Sequence, residues 1–99
     1  MRRKKIRYGE RVPVRLSLRE RDLVIDHAFL DPELAESIKI AQIRSGKITA
    51  KYSLDDIDLL LGCIAAESNH TKNKKLQKEL DELFDRLHAL MESYNEIEY

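Results

Sequence analysis

The chain is poor in the residues that usually punctuate or staple a small protein: it has one cysteine, two prolines, three glycines and no tryptophan in 99 residues. A single Cys63 cannot form an intramolecular disulfide and has no second thiol at zinc-ligand spacing, so neither a disulfide scaffold nor a cysteine zinc site is available. With three glycines there is no Gly-rich phosphate loop and no nucleophile elbow. No apolar run approaches the length needed to span a bilayer. The basic start, Met-Arg-Arg-Lys-Lys, is followed by Ile6-Arg7-Tyr8-Gly9-Glu10-Arg11 where a signal peptide would carry its apolar segment. The expected location is therefore cytoplasmic, with Cys63 a structural thiol in a reducing compartment. Outside the secretory route the sequon Asn69-His70-Thr71 has no meaning.

Charge is abundant and lopsided. Lys plus Arg and Asp plus Glu each number 18, so the formal net charge is zero. Residues 1–21 nevertheless hold nine Lys or Arg against Glu10 and Glu20, an excess of seven positive charges, and residues 22–99 carry the matching seven negative ones. Such an asymmetry bears on partners and self-association rather than on fold. Residues 1–11 have too little apolar surface to offset the entropy of ordering and are expected to form a basic, disordered arm, with residues 12–99 as one compact domain. At this length about 60–65% of the unfolded surface can be buried without a metal.

The most apolar stretch organises the rest. Leu59-Leu60-Leu61-Gly62-Cys63-Ile64-Ala65-Ala66 lies in a segment opened by Ser53 and Asp56, a capping box with Asp in place of Glu. Asp55, Asp56 and Asp58 suit the positive end of a helix dipole. Ile57, Leu60, Leu61, Ile64 and Ala65 make one helical face, and Leu59, Cys63 and Ala66 add a second. A helix apolar on both faces is expected to be covered on both, with Gly62 marking a close approach by another element.

Earlier in the chain, Val12-Pro13-Val14-Arg15-Leu16 alternates as a short edge strand. Ser17 with Glu20 caps a helix whose Leu18, Ile25, Ala28 and Phe29 share a face. Asp31-Pro32-Glu33 opens a short helix ending near Ser37 or Ile38. Ile40-Ala41-Gln42-Ile43-Arg44 and Lys47-Ile48-Thr49-Ala50-Lys51-Tyr52 flank Ser45-Gly46 at hairpin spacing, with Ile48, Ala50 and Tyr52 toward the core. In the last part, Leu76, Leu80, Leu83, Leu87, Leu90, Tyr94 and Ile97 follow a heptad seam. The expected fold is α+β: a small antiparallel β-hairpin packed on about four helices, the last two (about 54–69 and 73–96) forming an antiparallel helical hairpin. The final helix would outrun its neighbour by about 10 Å, leaving Leu90, Met91, Tyr94 and Ile97 as an overhang that needs a partner.

Candidate chemistry is sparse. Glu67-x-x-His70 has the spacing of di-iron bundle ligands, but such a site needs two copies and the chain has one; His27 and His88 stand alone. No catalytic residue, metal site or cofactor is assigned. The leading expectation is a non-enzymatic protein-interaction or regulatory module, a homodimer formed through Leu90, Met91, Tyr94 and Ile97. The alternative is an accessory nucleic-acid-binding protein using Arg2, Arg3, Lys4, Lys5, Arg7 and Tyr8 with Lys72, Lys74, Lys75 and Lys78, the last four placed where a helix dipole disfavours cations. The plain counterpart of that alternative is a basic tail that keeps the protein soluble, or one that folds onto the acidic C-terminal half of the same or a neighbouring subunit.

Overall fold

A computed structural model describes residues 3–28 and 30–97. The element order is β1 (Lys4–Arg7), β2 (Val12–Ser17), α1 (Leu18–His27), α2 (Pro32–Lys39), β3 (Lys47–Tyr52), α3 (Leu54–His70), α4 (Lys74–Glu92) and β4 (Tyr94–Ile97). The fold is α+β, with an antiparallel β2–β3 pair and an α3–α4 helical hairpin.

Caps set the helix starts. Ser17 accepts from the Glu20 amide at 3.1 Å while Glu20 accepts from the Ser17 amide at 2.9 Å. At α3 the same reciprocal box uses Asp56, one methylene shorter, and its return bond from the Ser53 amide stretches to 3.4 Å. Asp31 caps α2 by accepting from the Glu33 amide at 2.9 Å, with Pro32 at the first helical position.

The pairing of β3 differs from the hairpin expected with residues 40–44. Its antiparallel partner is β2, in the register Val12–Tyr52, Val14–Ala50 and Leu16–Ile48. Those six side chains are all buried, whereas Ile40 and Ile43 are exposed. β2 wins because it alternates strictly, and because the Ile40 amide is already spent closing α2 on the Glu36 carbonyl. The Ser45-Gly46 turn does form, joining Arg44 to Lys47 alone. In α1 the buried pair is Leu23 and Val24, joined by Ala28, with Leu18 and Ile25 only partly buried; Phe29 lies outside the described residues.

The core gathers around α3. Ile57, Leu60, Leu61 and Ile64 pack with Leu76, Leu80, Leu83 and Leu87 of α4 and with the inward residues of β2 and β3. The buried Ser68 hydroxyl donates to Asp81, fastening the two helices where their faces would otherwise be wholly apolar. Tyr52, also buried, donates its hydroxyl to the Leu34 carbonyl and ties β3 to α2.

Two expectations about the ends are corrected together. α4 stops at Glu92, where Ser93 turns the chain, and Tyr94–Ile97 leaves the helix as β4. Its partner is the expected arm: Lys4–Arg7 pairs with it in parallel, and Ile6 is 5% exposed. A strand needs few apolar side chains of its own when a partner supplies its hydrogen bonds, and one well-buried Ile6 anchors it. The arm is held further by Arg3 on Glu92 at 3.0 Å and by the Gly9 amide on Glu96 at 2.9 Å. Residues 3–9 thus fold onto the acidic C-terminal segment of their own chain.

Candidate functional site

The four residues expected to form a helical overhang do not share one surface. Leu90 and Met91 are in the last turns of α4, partly buried against the core, while Tyr94 and Ile97 sit on β4, where an odd spacing of three turns them to opposite sides. The β1–β4 pair occupies the space an overhang would have left open.

The expected nucleic-acid residues are also divided. Lys4, Lys5 and Arg7 are exposed on β1, beside the C-terminal end of α4, and Tyr8 follows them with its hydroxyl 3.4 Å from Asp55 at the start of α3. Lys72, Lys74, Lys75 and Lys78 are exposed at the N-terminal end of α4, the whole length of that helix away, about 28 Å. Two of the amides that a helix start would offer an anion are already taken there, because Asn73 accepts from Lys75 and Leu76 at 3.0 and 3.1 Å. Arg2 lies outside the described residues.

What the structure leaves open is the second face of α3. Leu59 is 60% exposed, Gly62 and Ala66 face solvent, and Cys63 is half-buried with a free thiol. The expected close approach at Gly62 is absent: a Cβ placed there would meet nothing within 4 Å. Asp58, Leu59, Gly62, Cys63, Ala66, Glu67 and His70 together outline a shallow groove, low at the two small residues and raised at Leu59 and His70. The i, i+3, i+4, i+7 series of Leu59, Gly62, Cys63 and Ala66 is the pattern of a helix seated against another helix.

Charge frames this stripe with one sign. α3 contains Asp55, Asp56, Asp58 and Glu67 and not one Lys or Arg. Asp55 and Asp58 are exposed along the stripe, and Glu67 is at its other end. Glu79, by contrast, is matched across elements and held below the usual carboxylate range by its hydrogen bonds from Arg19, at 2.8 and 2.9 Å. Glu67 and His70 both line the groove, and among the described residues no group of three or more His, Cys, Asp or Glu is placed to hold a metal ion. Among them, too, no helix is long and apolar enough to cross a membrane.

The groove was visible in the sequence as apolar positions on a second helical face. An apolar face need not be covered by its own chain, and this one is left to solvent. Comparison with protein-family models, with curated proteins and with solved structures finds no match for this chain.

Proposed function

We propose that the chain is a small non-enzymatic interaction module of the cytoplasm that receives a basic amphipathic helix of a partner protein on the outward face of α3. The observation that carries this reading is the composition of α3: a helix fully buried on one side presents Leu59, Gly62 and Ala66 to solvent on the other, within an all-acidic set of charges. Apolar anchors fitting between Leu59 and His70 would supply affinity, and Lys or Arg flanking them would meet Asp55, Asp58 and Glu67. Gly62 lets a partner backbone come close. The half-buried free thiol of Cys63 on this face suits a reducing compartment.

The same charges argue for a different protein rather than a second copy. Two α3 helices crossing antiparallel at Gly62 would set Asp58 of each against Glu67 of the other, a like-charge contact along a short apolar stripe.

The test is a titration with a designed helical peptide bearing a leucine stripe between lysines. Saturable binding is expected, weakened at least tenfold by Leu59→Asp at unchanged melting temperature. Binding indifferent to Leu59→Asp, or a peptide-free dimer that Leu59→Asp breaks, would contradict the proposal.

A further inference from the structure

The outward surface of the β2–β3 pair collects cations that have no acid among the described residues at ion-pair distance, Glu20 beside Arg15 and Lys47 being held by Arg86. Pro13, Arg15 and Ser17 stand opposite Lys51, Thr49 and Lys47, and the alternation of both strands turns all six away from the core. Beyond Lys47 the chain doubles back through Ser45 and Gly46, both at positive φ, 52° and 73°, the geometry of a tight type I′ turn. Gly adopts it freely; Ser45 does so at a cost that its surroundings must hold in place. Two backbone bonds clamp the turn, from the Arg44 amide to the Lys47 carbonyl at 2.8 Å and from the Lys47 amide to the Arg44 carbonyl at 3.0 Å. Arg44 and Lys47 are therefore direct cross-strand partners, with side chains on one face. A cavity of about 520 Å³ opens above them, lined by Arg15, Gln42, Arg44, Ser45, Lys47 and Thr49.

Two features mark this cavity. Like charges placed directly opposite each other on a ladder destabilise it, yet Arg44 faces Lys47 with Arg15 on the neighbouring strand. Acids are not scarce in this chain, and four arginines find them: Arg3 pairs with Glu92, Arg19 with Glu79, Arg21 with Asp22 and Arg86 with Glu20, all within 3.1 Å. Among the described residues, Arg15, Arg44 and Lys47 have no carboxylate at ion-pair distance, and none lines the cavity.

We infer that this cavity binds phosphate groups. Arg15 and Arg44 bring planar guanidinium forks that match phosphate oxygens, Lys47 a third positive charge, and Ser45 and Thr49 hydroxyl donors. The Gln42 side-chain oxygen accepts from Arg44 Nη2 at 3.2 Å and fixes the direction of that fork. Lys51 continues the positive row along β3, about 13 Å from Lys47, so the ligand carries more than one phosphate. Such a ligand is either a nucleic-acid backbone or a polyphosphate nucleotide, and the proposal is independent of the α3 groove.

Binding of tripolyphosphate, ATP and a mixed-sequence single-stranded oligonucleotide is measured at low salt for the full chain and for Arg44→Gln/Lys47→Gln. The double variant is expected to bind at least tenfold more weakly and to melt no lower than the parent, since it relieves a repulsion. If the oligonucleotide binds, its salt slope should fall by about 1.4 in the variant, at roughly 0.7 per lost contact on a single strand. The control Lys72→Gln/Lys75→Gln, with the same change in net charge, should keep full affinity. Binding of the oligonucleotide alone identifies a nucleic-acid backbone as the source of the phosphates; comparable binding of ATP and tripolyphosphate identifies nucleotides. Equal losses in the two double variants, or no binding of any probe, would overturn the inference.

Discussion

Arg86 of α4 grips Glu20 in the first turn of α1 with two bonds, Nη2 at 2.7 Å and Nε at 3.0 Å from its carboxylate oxygens, and the same Nη2 donates to the Arg15 carbonyl at 2.9 Å. Glu20 Oε1 meanwhile completes the capping box of α1 on the Ser17 amide. One carboxylate thus joins a helix start to the helical hairpin, and β2 is drawn in through its backbone. Arg86→Ala should cost about 1 kcal/mol, because the pair is only partly shielded from water. Glu20→Ala should cost more, about 2 kcal/mol, since it removes the cap as well. Urea denaturation of the two variants and their double mutant gives the order and the coupling.

The N-terminal strand is part of the folded unit in this account. Ile6→Ala should destabilise by about 2 kcal/mol or more, the usual cost of emptying a buried isoleucine site. A dangling arm would give no change in the denaturation midpoint.

Tyr52 gives the chain an alkaline limit. Burial pushes its phenol up to about 12, with the Asp56 carboxylate adding to the shift, while in the unfolded chain it titrates near its ordinary value of 10. The folded state therefore holds this proton more tightly. Its contribution is fully present below pH 10 and is lost as pH rises from about 10 to 12. Stability measured across that window should decline, and Tyr52→Phe should remove this component of the decline. The same substitution should cost about 1 kcal/mol at neutral pH, because the buried Leu34 carbonyl loses its donor.

Gly62 is a residue the isolated chain does not need. Gly62→Ala should raise stability by about 1 kcal/mol, as the new Cβ enters open space on a helix whose interior disfavours glycine. Thermal unfolding of the variant measures this gain. A loss would mean that the site is already occupied, contrary to the open face described above.

Much of the fold was legible because local signals and burial agreed. Ser17 with Glu20, Ser53 with Asp56 and Asp31-Pro32 marked three helix starts, and Ile48, Ala50 and Tyr52 turned inward as their alternation required. Legibility failed where the signal was ambiguous or the partner distant. Tyr94 and Ile97 continue the 3,4 spacing of a helix, which points away from a strand because strand alternation turns the two to opposite sides; the strand wins because Lys4–Arg7, some ninety residues earlier, supplies hydrogen bonds. In the same way Ile40 and Ile43 read as half of a hairpin, and it took the closer fit of Val12, Val14 and Leu16 to displace them. The candidate sites lay in plain view but out of register with that reading. A second apolar face at Leu59, Gly62 and Ala66 implies a covering element, and the alternation of β3 says of Lys47 and Thr49 only that they point away from the core. The Ser45-Gly46 turn that sets Arg44 beside Lys47 is a local signal, but Arg15 joins them only through the pairing of β2 with β3, which no local pattern encodes.

Whether the outward face of α3 is a docking surface can be decided by mapping backbone amide shifts in solution as the basic helical peptide is added to the full chain. Saturable shifts concentrated between residues 55 and 70 are expected, with the β1–β4 pair and the end of α4 undisturbed. Shifts centred on Leu90, Met91, Tyr94 and Ile97, or spread evenly over every acidic surface, would contradict it.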